Sequence, residues 1–125
     1  MPRCLIPALL ALSVLGGCDD FREKQSDHAP APRASIERGR ALLAQYQCGS
    51  CHAIPGVASS QGQVAASLDA FGQRSYMAGR HANRPDLLAQ WIAQPQSLVP
   101  GTTMPSMGVS PQDARDMAAY LMDLK

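Results

Sequence analysis

The sequence is poor in aromatic residues, with one Trp, three Tyr and two Phe among 125. A small folded unit with so few rings has little to fill its centre, which leaves room for another group in the core. An excess of charge of either sign is also lacking. Eleven Lys and Arg face ten Asp and Glu, and loss of a leader containing Arg3 leaves ten of each. That balance excludes nucleic-acid binding by bulk electrostatics. The basic residues are nearly all Arg and run from Arg22 to Arg115 without a block, which excludes a polybasic membrane or RNA patch. Partners are therefore expected to be proteins or small redox groups. A long hydrophobic run is missing too: Leu5 to Leu15, broken by Pro7 and Ser13, falls short of the about 20 apolar residues that a spanning helix needs.

That short run follows Arg3 and ends in Leu15-Gly16-Gly17-Cys18, which reads as a secretory signal. Its small residues ahead of a Cys resemble the bacterial lipobox, in which the Cys thiol receives a diacylglyceryl group and becomes the new amino terminus. Two or more acyl chains anchor stably where one gives marginal binding. The alternative is a plain signal peptide cut near Gly17, and either reading exports the chain. Asp19 and Asp20 resemble the signal that keeps enteric lipoproteins in the inner membrane, while Cys4 lies in the discarded segment. From Asp19 to Ala34 the chain is polar, carries Pro30 and Pro32, and reads as a flexible tether in which His28 is solvated. The expected organisation is a signal peptide over 1–17, a lipidated Cys and tether over 18–34, and one folded domain over 35–125.

Within that domain the apolar spacing predicts three helices. Ser35 is expected to cap the first, from Ile36 to about Gln47, with Ile36, Gly39, Leu43 and Tyr46 on one face. Gly39 lowers helix propensity by about 1 kcal/mol, so another helix is expected to approach there. The second spans Pro85 to Ala93, with Pro in its first turn, Asp86 near the positive end of the dipole, Pro95 as its stop, and Leu87, Leu88, Trp91 and Ile92 facing inward. The third begins with Ser110 as cap, Pro111 at the first position and Asp113 completing a capping-box-like pair; Met117, Tyr120, Leu121 and Leu124 form its face. No segment carries a strand pattern, so the expected fold is all-α, with a hollow that needs filling.

The central feature is Cys48-Gly49-Ser50-Cys51-His52. Two thiols at this spacing suit the two vinyl groups of one haem, and the adjacent imidazole suits its iron. A thioredoxin-like pair calls for a βαβ context that is missing here. A zinc site calls for a second ligand pair, which His81 alone does not supply. A structural disulfide is open to an exported protein, but it leaves His52 without a reason. For the sixth iron position, Met104 lies between Pro100 and Pro105, in a segment that suits neither helix nor central strand; Met107 and His81 are the alternatives. Met117 and Met122 read as packing. His/Met ligation raises the reduction potential and suits electron transfer.

From Ile36 to Lys125 the chain resembles a class I cytochrome c, and more closely the cytochrome domain fused to subunit II of some bacterial haem-copper oxidases. The resemblance is carried by Gly39 and Leu43 ahead of the haem motif, then Ile54-Pro55-Gly56, Phe71-Gly72-x-Arg74, Leu88-x-x-Trp91-Ile92-x-x-Pro95-Gln96, Pro100-Gly101-x-x-Met104-Pro105 and Ala119-Tyr120-Leu121. It implies three main helices around one covalent haem c held by Cys48, Cys51, His52 and Met104. By the same resemblance the first and last helices cross with Tyr120 and its neighbours over Gly39, Arg74 and Trp91 sit near the haem propionates, and Leu68 contacts the cofactor. One departure stands out: Ala65-Ala66-Ser67-Leu68 replaces the usual Gly-Pro-x-Leu, whose Pro carbonyl accepts the ligand His Nδ1–H. Ala66 still offers a carbonyl.

No further Cys/His cluster exists to form a copper centre, so a free-standing cytochrome domain is expected. The implied function is not enzymatic in itself. It is one-electron transfer in a respiratory chain, from a quinol-oxidising complex or soluble cytochrome to a terminal oxidase, on the periplasmic side of the inner membrane. The competing functions are a haem-based sensor or small peroxidase with an open sixth site, and a structural or assembly lipoprotein.

Overall fold

The computed structural model of the chain describes residues 30–125. The expected signal peptide, the lipidated Cys18 and His28 lie outside the described residues. Helix α1 spans Arg33–Gln45, two residues ahead of the expected Ser35 cap and of the expected start of the domain. Pro32 takes the cap position with φ −56° and ψ 138°, and its carbonyl accepts from the amides of Ser35 (2.9 Å) and Ile36 (3.2 Å). The ring presets the φ that a chain entering a helix requires. The Ser35 side chain makes no cap hydrogen bond. At the other end, Gln47 adopts a left-handed φ of 55°, which ends the helix short of the expected residue.

Helix α2 runs over Pro85–Ala93 as expected, with Pro85 and Asp86 in its first turn. Pro95 stops it and also opens a short unexpected helix, α3, over Pro95–Leu98; proline lacks the amide that a first turn leaves unpaired. Helix α4 spans Pro111–Asp123. The Asp113 amide donates to Ser110 Oγ at 3.1 Å, the expected cap. The Asp113 carboxylate, however, accepts from the Tyr46 hydroxyl at 2.9 Å, so the other half of the predicted box gives way to a tie between α1 and α4. The expectation of no strands is corrected at one place: β1 (Tyr76–Met77) and β2 (His81–Ala82) pair antiparallel, with Tyr76 opposite Ala82 and Met77 opposite His81. Two-residue strands are too short to show an alternating pattern.

Helices of 13 and 9 residues are marginal alone, so packing holds them. Leu43 of α1, Leu88 and Ile92 of α2, Phe71, and Ala114, Met117 and Leu121 of α4 form one buried core, each large side chain stabilising by about 1.5–3 kcal/mol. The crossing of α1 and α4 is made by backbone contact at Gly39, where a Cβ would strike the carbonyl of Asp116. The resemblance implied Tyr120 over that glycine. Tyr120 instead stands over Gly56 and donates its hydroxyl to the Pro55 carbonyl at 2.6 Å, pinning α4 to the segment that follows His52. Among the described residues no helix is long and apolar enough to cross a membrane.

Candidate haem site

The site grows out of the end of α1. The left-handed Gln47 turns the chain into a short 3-10 helix, Cys48–Ser50, and the Gln47 carbonyl accepts from both the amide (3.0 Å) and the hydroxyl (2.7 Å) of Ser50. The Cys48 carbonyl then accepts from the amides of Cys51 (3.3 Å) and His52 (3.1 Å). Both thiols are half-buried and unbridged. Burial pushes the Cys48 thiol up from the usual range. Among the described residues no three His, Cys, Asp or Glu side chains converge as a metal cluster. Thiols and imidazole within one turn that do not share a focus suit separate tasks, thioether attachment and iron ligation, better than a zinc site.

A second length of chain braces this turn. The amides of Gly62, Ala65 and Leu68 donate to the carbonyls of Gly49 (3.0 Å), Cys51 (2.9 Å) and Ala53 (2.8 Å), and a further bridge joins Ala53 to Gln61. The two strings lie so close that a Cβ on Gly49 would strike Ser60, and one on Gly62 would fall 2.6 Å from the Ser50 carbonyl oxygen. Bracing delivers the Ala66 carbonyl to His52, with Nδ1 2.7 Å from its oxygen. A carbonyl only accepts, so Nδ1 carries the proton and Nε2 is left with a free lone pair, the form in which an imidazole can ligate a metal. The residues present therefore fit haem c. The expectation that Ala66 keeps the bond usually made by a proline carbonyl is met.

The other expected residues are placed as follows. Leu68 and Trp91 are half-buried and pack against the core, Trp91 on the same face of α2 as Leu87. Met104 is half-buried on the loop between α3 and α4, its amide donating to Thr102 Oγ1 at 3.2 Å; Met107 on the same loop is 48% exposed. His81 sits in β2, opposite Met77. Arg74, which the resemblance set beside the propionates, is engaged with its own chain: Nη2 donates to the carbonyls of Ser67 (2.7 Å) and Asp69 (2.8 Å), and the guanidinium lies 5.1 Å from the centre of the Phe71 ring.

Sequence reasoning missed Asn83. Its Nδ2 donates to the carbonyls of Phe71 (2.9 Å) and Arg74 (3.1 Å), while its Oδ1 is buried without a partner among the described residues. Gly62 was missed as well. A loop rich in Gly, Ser and Gln gives no signal that one of its glycines lies against a backbone.

Residues 36–125 match the Cytochrome c family. The chain is 32% identical over 109 residues to cytochrome c oxidase subunit 2 of Alkalihalophilus pseudofirmus, covering 86% of this chain and 31% of that protein. It is 28% identical over 102 residues to the same subunit of Bacillus subtilis, covering 79% and 28%. The chain thus spans less than a third of the length of these relatives. With its helical fold and braced Cys48–His52 turn, the chain belongs to the cytochrome c family, as a class I cytochrome akin to the oxidase-fused type, an electron-transfer protein with covalently bound haem c.

Proposed function

We propose that this protein is a single-haem electron carrier of a respiratory chain, held by lipid on Cys18 at the periplasmic side of the bacterial inner membrane. Cys48 and Cys51 carry the haem through two thioether bonds, and His52 and Met104 are its axial ligands. The observation that carries this reading is the 2.7 Å contact of His52 Nδ1 with the Ala66 oxygen, which fixes the tautomer and reserves Nε2 for iron beside two unbridged thiols. Bound haem supplies a one-electron iron couple. The protein's part is to hold the imidazole, shelter the macrocycle with Leu68 and Trp91, and fill the sixth position so that small ligands are kept out. Met104 is favoured over Met107 because it is half-buried between two prolines, whereas Met107 is turned to solvent.

The likeness to oxidase subunit 2 favours a terminal oxidase as electron acceptor, with a quinol-oxidising complex or soluble cytochrome as donor. In this role the protein is a donor or accessory subunit and carries out no turnover chemistry of its own. The test is a reduced-minus-oxidised spectrum together with haem staining on a denaturing gel, on protein matured in a host that attaches haem c. One covalent haem with the weak far-red iron–thioether band is expected. Colourless, compactly folded protein overturns the reading. Labelling with radioactive palmitate tests the anchor: a Cys18→Ser variant should lose label that the unchanged protein takes up, and an unlabelled parent overturns it.

A further inference from the structure

The loop that carries Met104 has few ties to the rest of the molecule, and one side chain makes most of those at its start. Helix α3 supplies the base. Pro95 is fully buried, its carbonyl accepts from the Val99 amide at 3.0 Å, and the Gln94 carbonyl accepts from the Ser97 amide at 3.0 Å, so the residue between Pro95 and Ser97 is firmly seated. From there Gln96 reaches forward with both ends of its amide. Nε2 donates to the Thr102 carbonyl at 2.8 Å, and Oε1 accepts from the Gly101 amide at 3.0 Å. The nitrogen only donates and the oxygen only accepts, so the two bonds fit one orientation of the side chain. At Gly101 φ is 81° and an added Cβ would meet nothing within 4 Å; that side of the turn is open, and hydrogen bonds hold it. Thr102 passes the constraint on, its Oγ1 accepting from the Met104 amide at 3.2 Å. Beyond Met104 the loop has one hydrogen bond among the described residues, from Ser106 Oγ to the Ala93 carbonyl at 3.4 Å, before Val109 is buried ahead of α4.

We propose that Gln96 is a positioning residue for the sixth ligand: its amide latches the Gly101–Thr102 turn, and through Thr102 Oγ1 the latch keeps the Met104 thioether in place. This rests on Met104 being the axial ligand. A loop held only at its distant ends samples more conformations, and each open one leaves the sixth position to small molecules. The latch thus acts on how often that position opens, a property separate from the stability of the whole domain.

The experiment uses the holoprotein and the variants Gln96→Leu, Thr102→Val and Ser97→Ala. Leucine at 96 keeps most of the bulk and removes both bonds. Valine at 102 keeps the branched shape and removes the acceptor for the Met104 amide. Ser97→Ala is the control: it removes the bonds from Ser97 Oγ to the Gln94 carbonyl (2.8 Å) and from Gln90 Nε2 to Ser97 Oγ (3.3 Å), neither of which reaches the loop. Three quantities are read: carbon monoxide uptake by the reduced protein, which release of Met104 limits; hydrogen exchange of the Gly101 amide; and the melting temperature. The parent is expected to show the far-red iron–thioether band and to take up carbon monoxide slowly. A parent without the band that binds the gas at once refutes Met104 ligation itself and is thereby distinguished from failure of the latch. Gln96→Leu is expected to speed both uptake and Gly101 exchange about tenfold, on the order of what losing two hydrogen bonds allows. Thr102→Val is expected to speed uptake while Gly101 exchange stays parental. Ser97→Ala is expected to lower the melting temperature and leave both rates unmoved. If Gln96→Leu does not fold, Gln96→Glu, which keeps the acceptor and gives up the donor, takes its place under the same criteria. Parental uptake in the Gln96 variant or in Thr102→Val overturns the proposal, as does a Ser97→Ala protein that takes up carbon monoxide as fast as the Gln96 variant.

Discussion

The Arg38 guanidinium grips the Asp116 carboxylate across the crossing of α1 and α4, with Nε donating to Oδ2 at 2.8 Å and Nη2 2.7 Å from the same oxygen. Asp116 is 3% exposed and Arg38 56%, so one partner is shielded from water and the other is not. Burial pushes the Asp116 carboxyl up, but hydrogen bonds from Arg38 and Gln112 outweigh it and hold the group below its ordinary value of 3.8. A carboxylate lowered by folding contributes stability in full above its unfolded value, and that contribution is lost as pH falls through the folded one. Asp116→Asn should therefore cost about 1–2 kcal/mol at neutral pH, at the low end because Arg38 is solvent-screened. The gap from the parent should close as pH drops below about 4. Denaturant melts across pH 2–7 check this; a gap that widens in acid contradicts it.

At Gly39 a methyl group would meet main chain on the facing helix, which cannot rotate aside as a side chain does. Gly39→Ala should destabilise by about 1–3 kcal/mol or more, lowering the melting temperature by about 4–8 °C per kcal/mol in a domain of this size. The visible spectrum should stay intact at low temperature. Unchanged melting would show that the crossing has slack.

Met104→Ala should keep covalent haem, lose the far-red thioether band and bind carbon monoxide rapidly when reduced, because the sixth position opens. Met107→Ala should do none of these. If the two variants exchange behaviours, the ligand is Met107.

Ser110→Ala removes the oxygen that accepts the Asp113 amide at 3.1 Å and should cost about 0.5–2 kcal/mol. Because Asp113 also receives the Tyr46 hydroxyl, Ser110→Ala and Tyr46→Phe should be non-additive in a double-mutant cycle. Strict additivity in thermal melts would separate the cap from the tie between helices.

What could be read from the sequence was what is local in the chain. The bounds of α2 follow from Pro85, Asp86 and Pro95, the start of α4 from Ser110 and Pro111, and the haem-binding turn from five contiguous residues. What escaped depends on partners distant in sequence. Ser35 has the right chemistry for a cap, yet the helix begins two residues before it, after Pro32. Asp116 lies between inward positions of an amphipathic helix and reads as a surface residue until the arginine on α1 is known. Arg74 illustrates the same limit: its type suggests a charge partner, whereas its nearest acceptors are neutral carbonyls five and seven residues upstream.

The bonds that brace the turn against residues 61–68 run from amide to carbonyl, and apart from the two close glycines they are indifferent to side-chain identity. Gln61, Gln63 and Val64 point outward over this main-chain lacing, with Val64 84% exposed. Substitutions there can change this exposed face while the main-chain bonds that hold the turn are kept. The surface over the turn and the geometry beneath it are thus separately adjustable.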